Sequence, residues 1–234
     1  RFDNRVGRQQ ARDFYSFSIT VPQVRDEVDM RTYSSNAQLQ SALERFRQNG
    51  QSIAFVPTMG NLHEGHLNLV RKARSLCDVV VVSIFVNPLQ FGPSEDLDSY
   101  PRTMAADKEK LFSEGVQVLY APHTREIYPE GMAAQTQVTV PDLSETLCGS
   151  SRPGHFDGVT TVVAKLFNIV QPDMAIFGEK DYQQLSIVRK MVRDLCMPVR
   201  IIGVATTGDE DWLAKRSRIG FLSKEQRLFA LVIH

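Results

Sequence analysis

Short uninterrupted apolar runs, separated by segments long enough for helices, constrain the fold of this sequence more than any other feature. A strand covered on both faces reads as a continuous apolar run, whereas a half-exposed strand alternates between apolar and polar residues. The runs therefore predict buried strands of a parallel sheet. They lie at 52–58, 78–87, 116–122, 173–178 and 199–206.

Helical periodicity fills the gaps between these runs. Residues 158–170 and 182–195 each place their apolar side chains on one stripe, as amphipathic helices do. Strands that alternate with helices predict an α/β fold, a Rossmann-like doubly wound parallel sheet with right-handed crossovers. Ligands of such a sheet bind beyond the carboxyl ends of its strands. Residues 135–150 are predicted to form a strand–turn excursion of unknown role.

The first 29 residues are predicted to lie outside this domain. They are rich in Arg, show little periodicity and lack the apolar core of a secretion signal, so we interpret 1–29 as a flexible or cloning-derived extension. The acidic residues Asp3, Asp13, Asp26 and Glu27 argue against a transit peptide. The catalytic domain is predicted to span 30–205.

Composition excludes several classes of partner. Lys+Arg 27 against Asp+Glu 27 leaves no net charge, which disfavours a nucleic-acid partner. No apolar stretch approaches the roughly 18 residues of a membrane span. Three widely spaced cysteines, Cys77, Cys148 and Cys196, indicate reduced thiols in a cytoplasmic protein rather than a disulfide framework.

Two histidines follow the first apolar run in the segment PTMGNLHEGHL, where a helix is predicted to begin. Asn61 is suited to be the N-cap of this helix, and Glu64 has the spacing that completes a capping box. These two residues can therefore be explained by helix capping alone. His63 and His66, three positions apart, would then share one helix face beside backbone N–H groups that favour an anion. Gly65 between them costs about 1 kcal/mol relative to Ala but leaves the backbone open to a nucleotide. The pattern predicts a phosphate-binding turn.

A zinc site is a weak alternative for the two histidines, because the stretch is not HExxH and no third ligand is evident. No metal ligands are therefore predicted among the side chains.

The segment FGEKDYQQL follows another apolar run. Asp181 and Gln184 have the spacing of a capping box, and Lys180 could meet a phosphate as a point charge or face water. Gln90, in NPLQFG, is an amide suited to a hydroxy acid, or a loop residue facing water. Arg152 and His155, in SRPGHFDGV, are interpreted as an anion-binding loop or as surface residues.

Taken together and in this order, these clusters closely resemble the pantoate–β-alanine ligase (pantothenate synthetase) family. The matching pieces include VVVSIFVNPLQFG, DLDSYPRT, EIYPEGM, SRPGHFDGVTTVVAKLFNIVQPD and FGEKDYQQLSIVRKMVRDL, from about Met30 to about Val204. An HxGH turn alone would indicate only the wider nucleotidyl-transferase group. The whole set is more specific.

The resemblance implies an ATP-dependent condensation of pantoate with β-alanine through pantoyl adenylate, releasing AMP and pyrophosphate. It implies that Mg²⁺ arrives on the triphosphate and that the protein is a homodimer. His66 would be the proton donor, with His63 and Lys180 at the phosphates. The implied ATP site comprises Met59, Gly60, Asn61, Leu62, His63, Glu64, Gly65, His66, Gly178, Glu179, Lys180, Asp181, Thr207, Lys215, Arg216, Ser217 and Arg218. The implied substrate site comprises Pro57, Gln90, Gln184, Arg152 and His155.

The loop after the last apolar run departs from the family pattern, in which a DGLALSSRN-like loop closes over the triphosphate. Gly208 stands where the family has Arg, Trp212 where it has Gly, Arg216 where it has Ser, and Ile219 where it has Asn. Trp cannot replace a Gly of positive φ without strain. We therefore expect weaker closure over ATP and reduced turnover, with 206–234 forming this loop and the start of a small C-terminal domain.

Two alternatives to a ligase remain at this point. A nucleotide-binding homologue that has lost catalysis is favoured by Gly208 and Trp212. A nucleotidyl transferase acting on another acid is disfavoured by Gln90 and Gln184 together with the full motif set. A tRNA synthetase is disfavoured by the absence of net charge.

Overall fold

Six parallel strands form a single sheet in the computed structural model, which describes residues 29–205 except 93, 94, 96 and 147. Four of the six strands carry buried apolar residues along most of their length, as the continuous runs predicted. The strands are β1 (Arg31–Tyr33), β2 (Ile53–Thr58), β3 (Val79–Ile84), β4 (Val118–Tyr120), β5 (Met174–Gly178) and β6 (Arg200–Val204).

Seven α-helices connect these strands in the part of the chain described. Two 3₁₀ turns, Pro88–Gln90 and Glu179–Asp181, follow β3 and β5. The helices are α1 (Asn36–Gln48), α2 (Glu64–Arg74), α3 (Met104–Ser113), α4 (Thr124–Ile127), α5 (Cys148–Ser151), α6 (His155–Val170) and α7 (Tyr182–Asp194).

The strand order in the sheet is β1-β4-β3-β2-β5-β6. From β2 the chain first builds outward through β3 and β4, and then returns to the other side of β2 with β5 and β6. The run β4-β3-β2-β5-β6 has the 3-2-1-4-5 order of a Rossmann-like sheet, so the predicted fold class is confirmed. The order reverses between β2 and β5, and ligands of open α/β sheets bind at such a point.

Helices cover both faces of the sheet. Along β2, Ile53 and Phe55 belong to one core with α1, α6 and α7, whereas Ala54 and Val56 belong to a second core with α2 and α3. All four of these side chains are fully buried. The alternation explains why β2 is apolar at every position from Ile53 to Val56, since both of its faces are covered there.

Two details of the fold differ from the sequence predictions. Strand β1 was not predicted, because three partly exposed residues paired to β4 at the sheet edge carry no apolar signal. The strand predicted within 135–150 is wrong, since the described residues there form an irregular segment, turns and the start of α5. The hydroxyl of Thr160 donates to the Val138 carbonyl, and the hydroxyl of Thr161 accepts the Val138 N–H. These side chains of α6 satisfy the backbone groups that a neighbouring strand would otherwise pair.

No helix in the described residues combines the length and the apolar character that crossing a membrane requires. The thiols of Cys77, Cys148 and Cys196 are all free.

Candidate active site

Two cavities of about 230 and 130 Å³ open at the carboxyl ends of β2 and β5, where the strand order reverses. Both are lined by Pro57, His63, His66, Phe177, Lys180, Asp181 and Gln184. Met59 and Gln90 line the larger cavity, and Gly65 and Gly178 line the smaller. Three of the clusters that follow apolar runs in the sequence therefore converge on one cleft, and the fourth, at 206–218, lies outside the described residues.

The histidine turn is capped differently from the prediction. Helix α2 begins at Glu64 with His63, not Asn61, as its N-cap. Asn61 takes a left-handed conformation with φ 50° before the helix starts, and Glu64 pairs with Arg71 on the surface. The capping box is built from the two histidines themselves, since each ring accepts a backbone N–H bond of the first turn.

These capping bonds fix the tautomers of both rings. Gly65 N–H donates to Nδ1 of His63 at 3.1 Å, and His63 N–H donates to Nδ1 of His66 at 3.3 Å. A neutral imidazole whose Nδ1 accepts must carry its proton on Nε2. The ring centroids lie 4.1 Å apart. The turn therefore presents two Nε2–H donors side by side along the cleft.

His66 is held neutral by its surroundings. Burial, and then the neighbouring His63, Lys180 and Lys110, lower its pKa from 6.5 to about 3. At neutral pH this ring donates a hydrogen bond without carrying a charge. The predicted proton-donor role of His66 stays a prediction, and the structure places a neutral Nε2–H rather than an imidazolium at this position.

The depressed pKa of His66 predicts a pH-dependent stability. Unfolding restores a pKa near 6.5, so between pH 6.5 and about 3 the unfolded chain binds more protons than the native one. The free energy of unfolding should then fall as pH falls, by up to about 1.4 kcal/mol per pH unit from this group. Urea unfolding from pH 7.5 to 5 measures this slope. The variant His66→Asn should show a shallower slope, and equal slopes would contradict the assignment. The pKa of His155 is also lowered, chiefly by burial, and leaves a residual slope in the variant.

Two side chains of α3 hold the loop that leads into this turn. The buried carboxylate of Asp107 accepts the backbone N–H groups of Asn61 at 2.9 Å and Leu62 at 2.8 Å. The ammonium of Lys110 donates to the Leu62 carbonyl at 2.6 Å. Asp107 also lies 3.2 Å from where a Cβ on Gly60 would stand, and Gly60 has φ 84°. These contacts explain the left-handed backbone at 60–61, which no local sequence signal predicted.

The cluster after β5 supplies three side chains to the cleft. Asp181 occupies the N-cap position of α7, but its side chain makes no capping hydrogen bond. The capping box predicted for Asp181 and Gln184 is therefore wrong, and both residues line the cavities instead. Lys180 lies on the same wall and raises the local positive potential, as its effect on His66 shows.

Gln90 faces these residues from the turn after β3. Its amide nitrogen lies 3.1 Å from the sulfur of Met59, and its oxygen accepts from Asn87 Nδ2 at 3.2 Å. Asn87 is buried and also accepts from the Tyr128 hydroxyl at 2.8 Å. The Gln90 amide is thus oriented by Asn87, a residue of the quoted NPLQFG motif that the sequence analysis passed over.

Several predicted residues do not line either cavity. Leu62 is buried in the core beneath α2, so it shapes the loop rather than facing a ligand. Arg152 forms a bidentate ion pair with Glu95, and His155 contacts the Gln90 carbonyl from behind the turn. In the loop predicted to bind an anion, Arg152 therefore binds a carboxylate of this chain. Gly60, Asn61, Glu64 and Glu179 are also absent from the cavity walls.

An apolar wall of the larger cavity was not predicted from the sequence. Val159, Val162, Val163 and Leu166 were recognised only as the core stripe of α6. Tyr100 lies in the quoted DLDSYPRT piece, a signal that was not used. The remaining lining residues that were missed are Thr58, Phe85, Asn87 and Phe177.

The predicted closing-loop residues lie outside the described part of the chain. These are Thr207, Lys215, Arg216, Ser217 and Arg218, together with the altered positions Gly208, Trp212 and Ile219. Within the described residues, no group of three or more His, Cys, Asp or Glu side chains is placed to hold a metal ion.

A Rossmann-like sheet with an HxGH turn at its switch point defines an α/β nucleotide-binding protein of the HxGH nucleotidyl-transferase class. The model of one family within that class, described as pantoate-beta-alanine ligase, matches residues 31–234. The chain belongs to the pantoate–β-alanine ligase family. The match begins beside the predicted start at Met30, but it continues past Val204 through the altered loop.

Named relatives agree with this assignment. The chain is 60% identical over 205 residues to a pantothenate synthetase of Pseudomonas putida (strain W619), covering 88% of this chain and 71% of that one. The fold matches pantothenate synthetase from Thermus thermophilus with TM-score 0.80 and 54% identity, over 87% of this chain and 71% of that one. Pantoate-beta-alanine ligase from Francisella tularensis, complexed with beta-gamma ATP and beta-alanine, gives TM-score 0.82 and 39% identity, over 87% of this chain and 77% of that one.

Proposed function

We propose that this chain condenses pantoate with β-alanine at the expense of ATP, through a pantoyl-adenylate intermediate, to give pantothenate, AMP and pyrophosphate. One observation carries the proposal. Two histidines whose Nε2 atoms carry the proton line a single cleft at the switch point of the sheet together with two side-chain amides, Gln90 and Gln184. This arrangement suits a phosphate on one side and a hydroxy acid on the other.

In the first step a carboxylate oxygen of pantoate attacks the α-phosphorus of ATP, and the bond to pyrophosphate breaks. Negative charge grows on the phosphate oxygens as this occurs. His63 and His66 donate hydrogen bonds to those oxygens, and Lys180 supplies a positive charge to the phosphates. All three side chains line the same two cavities, so they can act on one phosphate group together.

Pantoate is a short acid with two hydroxyl groups and a carbon that bears two methyl groups. The amides of Gln90 and Gln184 can accept from and donate to its hydroxyls and carboxylate. Its methyl groups can pack against the apolar wall formed by Val162, Val163 and Leu166. The lining therefore has a polar half and an apolar half that match the two ends of this substrate.

In the second step the amine of β-alanine attacks the acyl carbon of the adenylate. The bond from carbon to the phosphate oxygen breaks, AMP leaves, and the amine gives up a proton. The adenylate is a mixed anhydride that water would hydrolyse, so a cleft with an apolar wall protects it until the amine arrives.

Magnesium is proposed to enter on the triphosphate. Mg²⁺ is commonly bound through one or two carboxylates together with substrate phosphates, and it neutralises phosphate charge. Asp181 is a carboxylate that lines both cavities and would be the side chain to meet it.

We also propose a homodimer that works in the cytoplasm. The dimer rests on family resemblance, and sedimentation equilibrium would test it. The cytoplasmic location is supported by three free thiols, since oxidising compartments favour disulfides. The zero net charge supports a small-molecule substrate rather than a nucleic acid.

Product analysis tests the function directly. Purified protein with ATP, Mg²⁺, pantoate and β-alanine should form AMP and pantothenate in equal amounts. Without β-alanine, a single turnover should leave pantoyl adenylate and pyrophosphate. ATP binding with no AMP under any of these conditions would favour the alternative, a nucleotide-binding homologue without catalysis. The names of relatives 60% identical to the chain favour the ligase.

The effect of the altered loop on turnover remains a prediction, because positions 208–219 lie outside the described residues. We expect the double reversion Trp212→Gly with Arg216→Ser to raise the rate of pyrophosphate release, since a Gly, which can adopt positive φ without strain, and a hydroxyl acceptor return to the loop. The measurement is a steady-state rate at saturating ATP. An unchanged rate would show that the loop closes equally well with Trp and Arg.

A further inference from the structure

A chain of polar contacts lies directly behind the turn that carries Gln90. Glu95, Arg152 and His155, here called the polar relay, connect the surface to the main chain of this turn. Arg152 donates to Glu95 through Nε at 2.6 Å and through a terminal nitrogen at 2.9 Å. Its other terminal nitrogen lies 3.0 Å from Nε2 of His155. His155 Nδ1 lies 2.8 Å from the Gln90 carbonyl oxygen.

The direction of these hydrogen bonds follows from the chemistry of the groups. A guanidinium has only donors, so Nε2 of His155 must accept from Arg152. In the neutral ring the proton is then on Nδ1, which donates to the Gln90 carbonyl. If the Arg152 donor turned away, only the Gln90 carbonyl itself would favour this tautomer of His155, and the ring would lose the contact that orients it from the other side.

The environment supports this assignment. His155 is 9% exposed and packs edge-on against Phe156, and burial lowers its pKa, so the ring is neutral at neutral pH. The Arg152 guanidinium holds the pKa of Glu95 below its usual value, so the carboxylate stays charged. The two side chains of this pair are 34% and 22% exposed, respectively, so water screens them only in part.

We propose that Glu95 is a positioning residue for acid-substrate binding, which acts by orienting Arg152 and thereby fixing the His155 donor that holds the Gln90 turn. The relay reaches the main chain of Gln90, while Asn87 orients its side chain from the other side. Glu95 itself lines neither cavity. The inference deepens the proposed function and rests on it, because it takes Gln90 as a contact of pantoate.

The first test is a substrate-specific effect of Glu95→Gln. The neutral amide turns its NH₂ group toward a donor of Arg152, so one of the two charge-assisted bonds is lost. We expect the KM for pantoate to rise about tenfold, the equivalent of one such hydrogen bond. The KM for ATP and the melting temperature should stay within error of wild type. The matched control is Glu44→Gln, which removes the charge of another Glu paired to an Arg, on the distant surface of α1.

A charge swap separates positioning from simple ion pairing. In the double variant Glu95→Arg with Arg152→Glu, the opposite charges remain and the pair can re-form. Residue 152 can then only accept from His155, so a ring that stays neutral carries its proton on Nε2 and presents a bare Nδ1 to the Gln90 carbonyl. We expect the melting temperature of this variant to stay at the wild-type value while pantoate binding stays weak. Wild-type values of both would overturn the proposal and leave a structural ion pair.

A readout independent of turnover distinguishes this proposal from the proposed function. The ¹⁵N shifts of His155 should report a protonated Nδ1 in wild type and a protonated Nε2 in the swapped variant. A protonated Nε2 in wild type would overturn the relay even if the enzyme makes pantothenate. If the protein forms no AMP but shows the expected shifts, the polar relay is supported and the proposed role of Gln90 in binding pantoate is refuted.

Discussion

Replacing His63 and His66 together with asparagine is expected to reduce AMP formation about 10³-fold while the protein stays folded. The loss follows from removing both Nε2–H donors from the phosphate side of the cleft, since one lost donor to a developing oxyanion costs about 10²–10³ in kcat. Asparagine is a good N-cap, so His63→Asn keeps an acceptor for the first turn of α2. The deficit should therefore appear in kcat rather than in the yield of folded protein.

The losses of activity caused by the two single substitutions should not be additive. Each ring accepts a backbone N–H of the same turn, so removing one ring destabilises the position of the other. Residues that share one hydrogen-bond network are energetically coupled. The measurement is AMP formation at saturating substrates for both singles and the double, with circular dichroism to confirm folding. His123→Asn, an exposed histidine at the start of α4, is the matched control. A folded double variant that forms AMP at the wild-type rate would refute the assigned role.

The sheet could be read from the sequence because its strands are buried on both faces. Every residue of β2 from Ile53 to Val56 packs in one of the two cores, so the apolar run is continuous. Strand β1 left no such signal, since it lies at the sheet edge and is partly exposed. Strands could therefore be predicted from the sequence only where they are buried. An edge strand is defined by its backbone partner, which a local sequence pattern does not show.

The site was predictable where its residues follow strand ends, and it was missed where distant groups decide the local geometry. His63, His66, Gln90 and Gln184 were picked out from the sequence, and all four line the larger cavity. The start of α2 was misplaced because Asp107, 45 residues further along the chain from Leu62, holds the preceding backbone in place. A capping rule reads only neighbouring positions and cannot include such a partner.

The same limit explains the assignment of Arg152 and His155. An Arg and a His before a helix are chemically suited to an anion, and the sequence offered no sign that Glu95 would take that place. The structure turns both side chains toward the back of the Gln90 turn. Residues that support a binding side chain and residues that touch the ligand look alike until their partners are known.

Gly158→Ala is expected to cause the second large loss, through backbone contact rather than chemistry. A Cβ at this position of α6 would stand 2.4 Å from the Leu89 carbonyl oxygen and 2.7 Å from the Gln90 nitrogen. Ala would gain up to about 1 kcal/mol of helix propensity. Overpacking costs about 1–3 kcal/mol and more when the neighbour is backbone that cannot rotate away, so the clash outweighs the gain.

The clash should displace the turn at 88–90 from α6 and weaken the 3.0 Å hydrogen bond from Asn87 to the Gly158 carbonyl. A shift of about 1 Å at Gln90 can cost about 10²-fold in rate, so we expect kcat/KM for pantoate to fall by about that factor. The melting temperature should fall by roughly 4–8 °C, the equivalent of about 2 kcal/mol in a chain of this size. Gly92→Ala is the control, since a Cβ there meets nothing within 4 Å. If both variants melted and turned over like wild type, α6 would not set the position of Gln90.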